Sequence, residues 1–422
     1  MKNIKLENKV IMGAIITLLF VAVTYFYTPP QALTKWDRYS EVLPIGKMVQ
    51  MQSDSITPGN FMGIYTEEWG DEHNYTVYFD SSNEIDVEYK SYTDQIGLNG
   101  FMFGIINKIL YNLHIEPHVR LQIIYFINIL FACLMITVLM YGIYYRFGRG
   151  ACIGAIVILL PFPVLFRAVH NLYWCLGVKI FPTAVSTLIV IRCSEKRQWK
   201  KSYYFYIMGA MLLCLCNTFE FVSMEMVMCM IPLLLFWIDD PQKKKFIQLL
   251  ISSIMCIISF IISIFIWFIQ CLFYYGTVSE TLNHLWNMIG SRGGFNAISG
   301  DPLSELGKSL SAWDVVSAFL YGDKSYVAGP IKVIYIVVPV LVILLICCFI
   351  EVQHREFAID CSMGVFLLVS FFSSISWMII SRGHAYWHVH LSILLWFFCF
   401  IPALGCWAGS NVEICWRIFE KK

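Results

Sequence analysis

Three carboxylates in this sequence stand where proton transfer is possible. Asp37 and Glu41 lie just past the first apolar run at i, i+4, and Asp94 lies further along the same polar insert. A carboxylate held within hydrogen-bond reach of a hydroxyl can take its proton. The same acids also suit a plain role, as solvated loop charges or charges favoured at a helix N-terminus. Arg167, Arg292 and Arg382 fall at the ends of apolar runs or in the loops between them. Guanidinium groups suit phosphate recognition there, or snorkel towards lipid headgroups. Glu220 sits inside an apolar block. Such a group is costly unless paired or wet, so it is expected to face a cavity.

Aromatic and imidazole groups complete the set. Tyr173 and Trp174 follow His170, and can stack on a flat ligand face or belong to an interfacial belt. His384 and His388 share a helical face, whereas His390 points nearly opposite His388 on a helix. With no acid or cysteine beside them, they suit hydrogen bonding to a ligand, or plain interfacial placement, better than zinc. No metal and no cofactor is expected.

The elements that must position these groups are apolar. The chain is 58% hydrophobic and 14% charged, where a soluble domain carries roughly a quarter charged residues. Its mean hydropathy is +0.65, and 16% aromatics suit two interfacial belts. A net charge of +1 leaves no bulk field for nucleic acid. Of 15 cysteines, most, such as Cys133, Cys152, Cys214, Cys216, Cys256 and Cys347, lie in apolar runs and act as small hydrophobes. No structural disulfide is expected, and no CxxC motif is present.

Candidate spans run near 9–27, 119–145, 150–168, 171–192, 247–275, 331–350, 359–380 and 389–408. The segments Arg192–Lys201 and Lys243–Lys245 are both basic and belong on the same side. Tyr203–Ile238 between them must then be a hairpin of two short spans, with Glu220 near its outer turn. The first run follows Lys2, Lys5 and Lys9 and lacks a small-residue cleavage site, so it reads as an uncleaved signal anchor. The expected fold is an all-α polytopic integral membrane protein, one membrane domain over 1–422 with about ten transmembrane helices. It belongs in the cytoplasmic membrane with both termini cytoplasmic. Residues 28–118 and 276–330 are its two larger extracytoplasmic loops.

In the first loop, Ser40 is the expected N-cap of a helix whose Val42, Ile45, Met48 and Val49 recur at helical spacing, lying along the membrane surface. An acidic cluster (Glu67, Glu68, Asp71, Glu72) precedes a small β-hairpin of Tyr75–Phe79 and Ile85–Tyr89, together a polar lid. A second surface helix runs to Leu113 with a stripe of Ile96, Phe103, Ile106 and Leu110. In the second loop, Leu282–Ile289 reads as helix, Arg292–Asn296 as a flexible turn, and Leu303–Leu320 as an amphipathic piece.

Two juxtamembrane helices in the first outer loop, with acids close behind the first span, resemble the GT-C glycosyltransferases. These multi-span enzymes take a sugar from a polyprenyl-phosphate carrier and transfer it outside the cytoplasm. The resemblance covers the first loop and the general topology. It implies Asp37 or Glu41 as the base, with Asp94 reaching the same cleft. It implies substrate contacts from Arg167, His170, Tyr173, Trp174, Glu220, Arg292, Arg382, His384 and His388. The implied partners are a polyprenyl-phosphate-linked sugar, a glycan or lipid acceptor, and the bilayer. The family's adjacent Asp-Glu pair is absent, since Arg38 follows Asp37 and the next acid is Glu41; the choice of base stays open. The strings His170-Asn-Leu-Tyr-Trp174, Asn217-Thr-Phe-Glu-Phe221 and Gly383-His-Ala-Tyr-Trp-His-Val-His390 also resemble bacterial membrane proteins of surface-polysaccharide assembly. A polysaccharide polymerase or ligase is a neighbouring reading. From another class, a transporter or flippase for lipid-linked saccharides would depend on charges deep in the spans, of which few are evident.

Overall fold

Backbone that meets no water must satisfy itself, so long apolar runs fold as helices. In the computed structural model, residues 6–28, 37–53, 57–65, 72–79, 88–293, 309–322, 324–328, 331–354 and 361–420 are described. Among them six helices are long and apolar enough to cross a membrane, or seven counting one bent pair. The first are α1 (Leu6–Tyr27), α5 (Pro117–Phe147), α8 (Leu176–Lys196) and α11 (Lys243–Tyr275). Two follow late in the chain, α15 (Cys361–Ile380) and α18 (Ile401–Glu420), the latter entered through a π-type turn at Trp396–Phe400.

The segment expected as one span at 150–168 is broken. Here α6 (Arg149–Leu159) and α7 (Pro163–His170) meet at 83°. Pro161 lies in the break and Pro163 opens α7, and neither can donate to a continuing helical ladder. Shorter apolar helices α9 (Ser202–Asn217) and α10 (Val222–Ile238) meet at the Thr218–Phe221 turn. The last expected span, 389–408, is displaced. Its first residues form the short α17 (Val389–Ser392), and the long apolar stretch begins at Trp396.

Helices α5, α8, α10, α15, the Trp396–Phe400 turn with α18, and α6 pack neighbour to neighbour into a ring. The tightest joint is between α6 and α18. Gly150 and Gly154 face Gly405 and Gly409, each pair spaced i, i+4. A Cβ on Gly154 would run into the Gly405 carbonyl, and one on Gly409 into the Gly150 carbonyl. Small residues at this spacing let helix backbones touch. A Gly154→Leu variant is therefore expected to lose at least about 1–3 kcal/mol, as over-packed interfaces do. Thermal unfolding in detergent should show the drop, and an unchanged midpoint would mean that the joint is not tight.

The first loop is packed differently from expectation. Helix α2 (Arg38–Gln52) does not lie on a surface, since every residue from Glu41 to Gln50 is buried. It is enclosed by β1 (Gly63–Tyr65), α3 (Glu72–Phe79) and α4 (Leu98–Asn112). Residues Tyr75–Phe79 are helical rather than a strand, because Tyr75 and Tyr78, spaced i, i+3, are the buried pair. The partner of β1 is β2 (Tyr89–Ser91), antiparallel, with Ile64 opposite Lys90. Residues 85–87, Glu67, Glu68 and Asp71 lie outside the described residues.

Helix α4 buries Asn99, Gly100, Phe103, Gly104 and Asn107, and exposes Phe101, Met102, Ile105 and Ile109. Only part of the expected stripe thus faces inward. Its inner face is chosen for approach and hydrogen bonding: Asn107 donates to the Met48 carbonyl at 3.2 Å. In the second loop, α12 (Val278–Gly293) carries Arg292 in its last turn, where a flexible turn was expected. Residues 294–308 lie outside the description. A capping box of Ser311 and Asp314 starts α13 (Ala312–Leu320). Helices α14 (Val333–His354) and α16 (Arg382–Trp387) complete the chain's order.

Candidate functional site

The Thr218–Phe221 turn carries Glu220 and is clamped from several sides. Phe221 takes a left-handed φ of 69°. The Phe219 N–H donates to Gln95 Oε1 at 2.6 Å, and Gln95 Nε2 donates to Glu220 Oε1 at 3.2 Å. Lys179 Nζ donates to the Glu220 carbonyl at 2.8 Å. The Glu220 carboxylate, 3% exposed, meets Arg292 Nη1 at 3.5 Å and His384 Nδ1 at 3.4 Å. The His384 and His388 rings stand 4.5 Å apart. Burial alone would raise the Glu220 pKa, but His384, Arg292, His388 and Lys179 outweigh it and hold the carboxyl below its usual range.

Asp94 precedes α4 and keeps about a quarter of its side chain exposed, with His284 Nε2 at 3.8 Å. Burial, reinforced by the Glu220 charge, pushes its carboxyl up against the opposing pull of Arg292 and His284. Arg292 thus interacts with two carboxyl groups whose proton affinities are driven apart. Burial disfavours its charge, yet Glu220, Tyr92, Asp94 and Tyr173 more than compensate. Tyr92 and Tyr173 are hydrogen-bonded neighbours at the same place.

Asp37 caps α2 from a left-handed conformation, φ 50°, so the cap is Asp37 and not Ser40. Its Oδ1 accepts from Ser40 Oγ at 2.9 Å, and its Oδ2 accepts from Trp174 Nε1 at 2.6 Å. Trp174 in turn stacks on Phe221 at 5.2 Å. The start of the first loop is thereby joined to the Glu220 turn through two rings.

Glu41 does something else. It is fully buried; Oε1 accepts from the Leu172 N–H and Oε2 from the Tyr75 hydroxyl, both at 3.0 Å. It pins the 171–175 segment that carries Tyr173 and Trp174. Burial pushes it up to about 7, with Leu172, Tyr75 and Tyr125 countering only in part. A folded-state pKa above the unfolded value means that the native state binds the extra proton. Stability is then full at low pH and is lost as pH rises from about 4.5 to 7, by about 3 kcal/mol. Glu41→Gln should flatten that slope, so the melting temperatures of wild type and variant should diverge between about pH 4.5 and 7, with Gln the higher at the upper end. Parallel curves would show that Glu41 does not titrate in this range.

The remaining expected groups divide. Arg167 is exposed on α7 and is not brought into the cluster. His170 is buried and stacks on Tyr125 at 4.0 Å, beside the Glu41 pin. Arg382 opens α16, the helix that presents His384. Lys179 stands outside the groups expected from sequence; its Nζ lies 2.7 Å from Glu225 Oε1 with both side chains 1% exposed. A lysine inside an apolar span is itself the signal that marks it. Tyr92, Gln95 and His284 carry no such signal and look like ordinary loop residues until the fold closes.

Comparison with protein-family models, with curated proteins and with solved structures returns no match. Among the described residues, no group of three or more His, Cys, Asp or Glu side chains is arranged to hold a metal ion. The cluster offers one carboxyl with raised proton affinity, one held ionised, a guanidinium between them, and two imidazoles.

Proposed function

We propose that this is a GT-C-like membrane glycosyltransferase, transferring a sugar from a polyprenyl-phosphate donor to a glycan or lipid acceptor. The chain would cross the cytoplasmic membrane about ten times, counting the short helices α9, α10 and α14 and the bent pair, with both termini cytoplasmic. The observation that carries the reading is the approach of Asp94 and Glu220 to Arg292 from three separate segments. Paired carboxyls with opposed shifts mark acid–base work. Asp94, raised and partly open, takes the acceptor proton as the acceptor oxygen attacks the anomeric carbon. Arg292, His384 and His388 meet the departing lipid phosphate, while Glu220 orients Arg292 and His384.

The test is transfer of labelled sugar from a polyprenyl-phosphate donor in reconstituted membranes. Arg292→Ala should cost at least about a hundredfold, as loss of an oxyanion-type donor does. A competing reading, movement of a lipid-linked saccharide across the bilayer, draws on the buried Lys179–Glu225 pair in the first turns of α8 and α10. It would be favoured if reconstituted protein moved donor between leaflets and released no glycosylated product.

A further inference from the structure

Beside Lys179, next to this cluster, the helix ring borders a second feature that runs along the helices away from it. Between α5, α8, α10, α15 and the Trp396–Phe400 turn lies a cavity of about 360 Å³. Its walls are chiefly apolar, among them Ile180, Met228, Ile231, Phe366 and Phe398. Along α8 the lining runs from Ile180 to Ser194, about 20 Å of helix. That exceeds the roughly 15 Å of hydrocarbon in one leaflet. The space is a slot parallel to the helices.

The slot shares part of its wall with a second cavity. Ser194, Phe236 and Asp239 also line a neighbouring chamber of about 490 Å³. The character there is reversed, with Arg197, Gln198, Gln242, Lys244 and Lys245 in the walls. Arg146 pairs with Asp239 at the junction, and Lys245 pairs with Asp240 at 3.0 Å. The two acids are thus each matched, and the surplus positive charge rests on Arg197 and Lys244, both exposed. The N-terminus of α11, 33 residues long and starting at Lys243, opens onto the same chamber and adds its dipole.

We propose that the two chambers form one site for an amphiphile, with a single hydrocarbon tail in the ring cavity and a phosphate-bearing head on Arg197 and Lys244. An apolar slot of tail length beside a cationic chamber matches that ligand in both shape and charge. A purely apolar molecule would leave the cations unanswered, and a free phosphate would leave the slot unfilled. Its cationic chamber lies at the opposite end of the slot from the Glu220 turn, and its test does not depend on the proposed transfer.

The experiment is native mass spectrometry of the full chain in a non-ionic detergent, titrated in turn with dodecyl phosphate, dodecanol and inorganic phosphate. Dodecyl phosphate should bind one per chain, about tenfold or more tighter than either alternative. Arg197→Glu with Lys244→Glu should weaken it by about tenfold or more and leave dodecanol unchanged. Both positions are exposed, so the variant keeps its fold. Ile231→Trp, which fills the slot, should block dodecyl phosphate in protein that still elutes as a single species. Equal binding of dodecanol and dodecyl phosphate, or silence of the double charge reversal, would overturn the amphiphile site. So would inorganic phosphate binding as tightly as dodecyl phosphate.

Discussion

Lys179→Met is expected to deplete the folded population severely, and Lys179→Met with Glu225→Met to recover much of it. Both side chains are 1% exposed, and their charged atoms lie 2.7 Å apart. Removing one partner leaves the other charge buried and uncompensated, at a cost of about 3–5 kcal/mol. Whole-protein stabilities run only about 5–15 kcal/mol. Removing both partners replaces an expensive ion pair by apolar packing, which is often neutral. The recovery should stop short in one respect. Lys179 also donates to the Glu220 carbonyl, so the double variant still lacks that clamp, and transfer activity should stay low. Thermal stability by fluorescence-detected size exclusion reads the first effect, and the transfer assay reads the second. A single variant as stable as the double would show that the pair carries no such energy.

Asp94→Asn should reduce transfer by about 10²–10⁴-fold, the range for loss of a general base, without weakening donor binding. The sign of the pH effect follows from its raised carboxyl. A base must be ionised to act, so the wild-type rate should rise with pH through the Asp94 ionisation, and the Asn variant should lose that limb. Asp37→Asn is expected to act mildly, a few-fold. Both Asp37 oxygens already accept hydrogen bonds, from Ser40 and Trp174, and an amide keeps one acceptor. The reverse pattern, a silent Asp94→Asn and an inactive Asp37→Asn, would move the base to Asp37.

Much of the fold was legible because the bilayer's demand on backbone polar groups is written in long apolar runs. The six spanning candidates all fall on or near expected segments. What escaped depends on tertiary partners. The helical spacing in α2 is real, but the apolar period cannot say that polar residues such as Lys47 and Gln50 would be buried as well. They are accommodated by each other, since Lys47 Nζ donates to Gln50 Oε1 at 2.6 Å. The Tyr75–Phe79 segment alternated like a strand, yet Tyr75 and Tyr78 needed one face. Part of the site was visible, with Asp94, Glu220, Arg292 and His384 each picked by type. Their convergence was not visible, because it depends on the Thr218–Phe221 turn meeting the loop at Tyr92–Gln95. Glu41 suits proton transfer by type, and its hydrogen bonds from Leu172 and Tyr75 depend on chain segments that its local sequence does not reveal. An acid one turn from another looks reactive until both its oxygens are found taken.

The glycine contact between α6 and α18 also constrains biosynthesis. During translation, at about 5–20 residues per second, α6 is made tens of seconds before Gly405 and Gly409 emerge. Throughout that interval its Gly150–Gly154 face has no mate from its own chain. Until α18 arrives, the α6 face is lined by glycines that offer a neighbour only backbone, so this joint of the ring closes last.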